Sequence, residues 1–214
     1  MRLSVVSMAL VAAALAGCSN VERSRNLADP TVPAKVLALQ VCSNCHGVDG
    51  NSVSPNFPNL AAQTQDYMVA QLRYFRKHSR SDPAGFEYMW GLSRDLTDDQ
   101  IKGLAEYYAS QKIARPAYAT GKTTQFEMGK ALFASGVAEK SIPPCATCHG
   151  PEGMGNQQFP RVAGQHADYL VKQLLVFQRT DERPEGAVMK VIAHDLTPQN
   201  IESVAAYLES LPAK

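Results

Sequence analysis

Apolar residues recur along this chain on two scales. Locally they repeat at helical spacing, and over the whole length the same helices return about 100 residues later. Tyr67, Ala70, Leu72, Tyr74 and Phe75 gather near one helix face, and Tyr169, Leu170, Leu174 and Phe177 do the same further on. Ile101, Leu104 and Tyr108, then Ile201, Val204 and Leu208, draw two more stripes. Each of these opens with a start signal. Thr97-Asp98-Asp99-Gln100 fits a capping box, and Thr197-Pro198 sets a hydroxyl before a first-turn proline. Few segments alternate with the period of a strand, so the pattern predicts an all-α chain.

The long-range repeat is close in register. Phe57-Pro58-Asn59-Leu60-Ala61 returns 102 residues on as Phe159-Pro160-Arg161-Val162-Ala163. Gln63, Tyr67, Gln71, Leu72 and Phe75 return at the same offset as Gln165, Tyr169, Gln173, Leu174 and Phe177. Met89 and Asp95-Leu96-Thr97 return after 100 residues as Met189 and Asp195-Leu196-Thr197. A unit this long is a duplicated domain, not a solenoid repeat. The segment 113–121, with Pro116 and Gly121 and little periodicity, suits a linker. The expected organisation is a first domain over 33–112, a linker over 113–122 and a second domain over 123–214.

The N-terminus follows a different pattern. Arg2 and the apolar run Leu3 to Ala14, too short to span a bilayer, read as an export signal over residues 1–17. The signal ends in Leu15-Ala16-Gly17-Cys18, which resembles a lipobox. In that reading Cys18 is acylated and 18–32 is a tether; the alternative is ordinary cleavage after Ala16, leaving a stray thiol. No other stretch reaches the ~20 apolar residues of a transmembrane helix. Without Arg2 the chain carries 20 basic and 20 acidic residues, a balance that offers nothing to nucleic acid or to an anionic membrane surface.

Five cysteines and five histidines hold the chemistry. Four of the cysteines fall in Cys42-Ser43-Asn44-Cys45-His46 and Cys145-Ala146-Thr147-Cys148-His149. Two thiols three positions apart match the two vinyl groups of a haem, and the adjacent His is placed to bind its iron. A redox dithiol and two halves of a zinc site are the rival readings. A dithiol does not need His after both pairs, and the zinc reading requires pairs about 100 residues apart to meet. Two covalent haems c are therefore expected. Halves of this size, with few strand signals, suit domains built around a large apolar cofactor.

His46 and His149 are the expected proximal iron ligands. For the opposite iron face the repeat selects one methionine per half, Met89 and Met189, while the spare histidines His78, His166 and His194 have no counterpart in the other half. Methionine ligation raises the potential relative to two histidines. Pro58 and Pro160 lie 12 and 11 residues beyond the proximal His, where a carbonyl can accept the second ring N–H; a plain turn proline is the alternative. Gly47 and Gly150 suit a tight turn beside the haem. Arg73, Arg76, Arg94 and Arg161 each occur in only one half and read as solvated rather than as propionate partners.

Taken with Asp49-Gly50-Asn51-Ser52 and Asn56-Phe57-Pro58-Asn59-Leu60, the paired Cys-x-x-Cys-His-Gly motifs resemble the di-haem cytochromes c4, over roughly Pro33 to Leu211. The resemblance implies two tandem class I cytochrome c domains packed with pseudo-twofold symmetry. It implies a periplasmic, non-enzymatic carrier between a quinol-oxidising cytochrome bc complex and a terminal haem-copper oxidase. The alternative is the cytochrome subunit of a dehydrogenase such as flavocytochrome c. A di-haem peroxidase or thiosulfate dehydrogenase fits less well, since the first needs an open iron face and the second a cysteine ligand. Two features depart from the family: Ala62 stands where Gly164 stands in the second half, and the lipobox sets this chain apart from soluble relatives.

Overall fold

The computed structural model describes residues 23–114 and 123–211, so Cys18, the expected export signal and most of the expected linker lie outside the described residues. Helix α1 (Ala34–Leu37) runs through a wide π-helical turn, Ala38–Cys42, into α2 (Ser43–His46). Helices α3 (Gln65–Arg76), α4 (Trp90–Ser93) and α5 (Asp98–Ala109) complete the first half. The second half holds α6 (Thr124–Ser135), α7 (Ala146–His149), α8 (Ala167–Arg179), α9 (Ala187–Ala193) and α10 (Pro198–Ser210). Among the described residues there is no strand, only isolated bridges joining Val137 to Ile142 and Asn156 to Phe159.

Each half buries its own apolar core. Leu37, Met68, Ile101, Leu104 and Tyr108 form the first, and Leu132, Phe133, Leu170, Ile201, Val204 and Leu208 the second. The predicted stripes of both last helices therefore face inward, with α5 against α1 and α3, and α10 against α6 and α8. Close crossing is bought by glycine: a Cβ at Gly129 would stand 2.0 Å from the Ser203 carbonyl oxygen, and one at Gly103 would stand 2.6 Å from the Ala34 Cβ. Both last helices start in a reciprocal box. Thr97 Oγ1 accepts from the Gln100 N–H at 3.1 Å while Gln100 Oε1 accepts from the Thr97 N–H at 3.0 Å, and Thr197 pairs with Asn200 in the same way.

The end of the segment read as a tether is docked. Val32 is buried in the first core, Leu27 packs against it, and Gln100 Nε2 donates to the carbonyls of Asp29 and Val32. The ordered first half thus starts several residues before Pro33.

The two halves meet through a polar, pseudo-symmetric interface. The Gln165 carboxamide bonds both the N–H and the C=O of Asn59, and the Gln63 carboxamide does the same to Arg161. Deeper in, Arg80 pairs with Asp82 at 2.8 Å and Arg183 with Glu185 at 2.9 Å. Each guanidinium lies over a ring of its own half, Phe75 or Phe177. Each also donates to both glutamines, Gln71 and Gln173. These charges are buried yet paired and hydrogen-bonded, the condition under which the interior tolerates them.

Candidate haem-binding sites

Helix α2 carries Cys45 and His46 one turn beyond Cys42, and α7 carries Cys148 and His149 in the same relation to Cys145. Both helices stop at glycine in a left-handed conformation, with φ +78° at Gly47 and +80° at Gly150. At Gly47 the need is also steric, because a Cβ there would lie 2.3 Å from the Asn51 carbonyl oxygen.

His46 and His149 are buried, and their Nδ1 atoms lie 2.9 Å from the Pro58 and Pro160 carbonyl oxygens. A carbonyl only accepts, so each Nδ1 bears the proton and each Nε2 keeps its lone pair. Burial holds both imidazoles below the usual histidine range, an effect the proline carbonyls only partly offset. Both rings are therefore neutral at pH 7 and available as metal ligands. Burial also pushes the Cys42 and Cys145 thiols up to about 11.

None of the four motif cysteines is joined in a disulfide. Among the described residues no group of three or more His, Cys, Asp or Glu is placed to hold a metal ion, so the two pairs do not combine into a zinc site. Each half instead offers two thiols and one oriented imidazole, a donor set that fits a covalently attached haem.

Met89 ends a π-helical turn, Gly85–Met89, directly before α4, and Met189 lies on α9 against the second core. Both are partly buried. Phe57 joins Met89's neighbourhood to the first motif: its ring meets that of His46 at 6.2 Å and that of Tyr88 at 6.4 Å, both edge-on. The spare histidines are otherwise engaged. His78 stacks on Phe86 and Trp90, His166 Nε2 donates to the Ser52 carbonyl across the interface, and exposed His194 pairs with Asp195.

Three of the four arginines considered from sequence sit at the surface, Arg73 and Arg76 on Asp98 and Arg94 on Asp95. Arg161 corrects the solvated reading, since it is 1% exposed, held by the Ala163 and Asn59 carbonyls. The buried pair Arg80 and Arg183 was not singled out from sequence. They stand 103 residues apart, the register of the Cys42 and Cys145 motifs, so the signal lay one residue away from the 102-residue offset of the neighbouring helices.

With this geometry the chain matches the family model for cytochrome c twice, over residues 32–112 and 126–212. It is 36% identical to a cytochrome c4 of Stutzerimonas stutzeri over 81% of this chain and 85% of that one. It is 32% identical to a thiosulfate dehydrogenase electron acceptor of the same species, strain A1501, over 83% and 82%. A solved cytochrome c4 from Acidithiobacillus ferrooxidans superposes with a TM-score of 0.73 at 38% identity, over 79% of this chain and 98% of that one. The chain belongs to the cytochrome c family, and within it to the di-haem cytochromes c4. Its two tandem domains carry two covalently bound haems c with iron, and its function is electron transfer.

Proposed function

We propose that this cytochrome carries electrons in the periplasm from a quinol-oxidising cytochrome bc complex to a terminal haem-copper oxidase. The observation that supports the carrier role most directly is the matched pair of buried imidazoles, each with Nδ1 on a proline carbonyl and Nε2 left for iron; the donor and acceptor follow from the likeness to cytochromes c4. When bound, each haem supplies a reversible one-electron change at iron. The chain's residues govern the rest. Cys42 and Cys45, then Cys145 and Cys148, hold the two groups by thioether bonds. His46 and His149 are the proximal ligands, fixed in orientation by Pro58 and Pro160, so the rings need not reorient between redox states. Met89 and Met189 supply a soft sulfur to the opposite face, which favours reduced iron and closes the site to peroxide.

Cys18 carries lipid in this reading. It is nine residues from Leu27, which already packs on the first core, so the reach of the anchor is at most roughly 30 Å. This keeps the first half close to the bilayer that holds the donor and acceptor complexes. Among the described residues no helix is long and apolar enough to cross a membrane.

A second reading, an electron acceptor for a periplasmic dehydrogenase, draws on the similarity to the thiosulfate dehydrogenase electron acceptor. Co-purification from detergent-solubilised membranes separates the two. A haem-copper oxidase or bc complex in the eluate, with rapid reoxidation of the reduced cytochrome by the oxidase, is the expected result. A dehydrogenase there instead, with no turnover by the oxidase, would replace the first reading by the second. Intact mass of the mature N-terminus tests the anchor, and an unacylated Cys18 would refute it.

A further inference from the structure

Arg161 is 1% exposed. Its guanidinium donates to the carbonyls of Ala163 and Asn59, while its Nε is buried without a hydrogen-bond partner. No Asp or Glu of the described residues pairs with it, in contrast to Arg80 and Arg183, whose charges meet Asp82 and Glu185. The position in the repeat matters. Arg161 follows Pro160, whose carbonyl holds His149, and its guanidinium reaches the carbonyl of Asn59, which follows Pro58, whose carbonyl holds His46. One buried cation therefore touches the segments that orient both proximal histidines. Asn59, its counterpart in the first half, is neutral.

We propose that Arg161 is a potential-setting residue shared by the two haem sites, its buried positive charge favouring the reduced state of both irons. This rests on the two-haem reading above. Ferric haem carries one more positive charge than ferrous haem, and a fixed cation in a poorly solvated interface opposes that extra charge. Desolvation brings the Arg161 pKa down to about 10, so the guanidinium is still charged at neutral pH. The glutamine exchange around it holds the peptide in place, so the charge has a fixed position relative to both sites.

The test is a two-step spectroelectrochemical titration of the holoprotein with R161N, R161Q and R161K. Asparagine is the residue the first half tolerates at this place, and glutamine keeps a donor without charge. In both neutral variants the reduced-to-oxidised ratio at fixed applied potential should fall at least threefold at each haem, about 28 mV. R161K should keep potentials near wild type while losing stability, because it retains the charge but not the planar fork. Haem content per chain, from the pyridine haemochrome, checks the two-haem reading independently of the potentials. Unchanged potentials in both neutral variants with two haems retained would overturn the proposal. So would a fall confined to one haem, or a fall in R161K as large as in R161Q.

Discussion

Gln165 closes on the backbone of Asn59 from the opposite half of the molecule: its Oε1 accepts the Asn59 N–H at 2.8 Å and its Nε2 donates to the Asn59 carbonyl at 3.0 Å. Gln63 repeats the grip on Arg161 with distances of 2.7 and 3.0 Å. Buried backbone groups must find partners, and here each half supplies those of the other. Q165A leaves the Asn59 N–H without its acceptor and should lower stability by about 2 kcal/mol in denaturant unfolding of the holoprotein. Because both grips close one interface, the double variant Q63A/Q165A should cost less than the sum of the singles. Full additivity would show that the two grips act independently.

The buried ionic layer predicts acid sensitivity. Burial alone would raise the Asp82 pKa, but the Arg80 guanidinium, with help from Arg183 and Gln173, holds it below the usual carboxylate range. The unfolded chain then binds a proton at higher pH than the folded one does. The stabilisation is complete above the ordinary carboxylate pKa and is lost as pH falls through the lower folded value. D82N, which strands Arg80, should cost about 3 kcal/mol near neutral pH. The gap between wild type and D82N should narrow as pH falls below the ordinary carboxylate pKa of about 4. A gap that stays constant as pH falls below that value would show that Asp82 does not titrate differently on folding.

The helices, their caps and the duplicated plan were legible because each has a local signature: Thr97 with Gln100, the stripe Ile101, Leu104 and Tyr108, and the returning Phe-Pro segment. The interface was not legible. Gln63, Gln71 and their partners stood out as repeats, but nothing local distinguishes a glutamine that grips a foreign backbone from a solvated one. Arg161 was misjudged for a related reason. Being unmatched in the first half made it look like surface, whereas its guanidinium is buried between the halves on the carbonyls of Ala163 and Asn59. The short helices around Met89 and Met189 were missed because four to seven residues carry too few periods to recognise.

Ala62 is a strained position inherited from the repeat. It has φ +51°, and Gly164, its counterpart, has φ +64°. Neither backbone can relax, because the Ala62 N–H donates to the Tyr108 carbonyl at 3.0 Å and the Gly164 N–H to the Leu208 carbonyl at 2.8 Å. A side chain in this conformation costs on the order of 1 kcal/mol. A62G should raise the thermal midpoint of the first half, by roughly 0.5 kcal/mol in stability once the greater freedom of the unfolded glycine is subtracted from the relieved strain. G164A should do the reverse, since its Cβ would also press to 3.2 Å from Ile113 Cγ2. A lower midpoint in A62G would show that packing around the methyl outweighs the backbone strain.

The proposal that Met89 and Met189 bind the irons gives the sharpest spectroscopic prediction. Ferric haem bound by His and Met has a weak near-infrared charge-transfer band, and two equivalent sites contribute two equal shares. M89A and M189A should each remove about half of that band, and the double variant all of it, with both haems still covalently attached. Substitution by a neighbouring histidine is restrained by the fold. His78 is stacked on Phe86 and Trp90 at 5.4 and 4.8 Å, His166 spends its Nε2 proton on Ser52, and His194 is exposed beside Asp195. The vacated face should therefore take water and turn high-spin, with more peroxide reactivity than the wild type. M89H and M189H should instead stay low-spin and shift the potential of their own haem downward, because imidazole favours ferric iron more than a thioether does. Loss of no near-infrared intensity in either alanine variant would remove Met89 and Met189 from the iron and reopen the search for the sixth ligand.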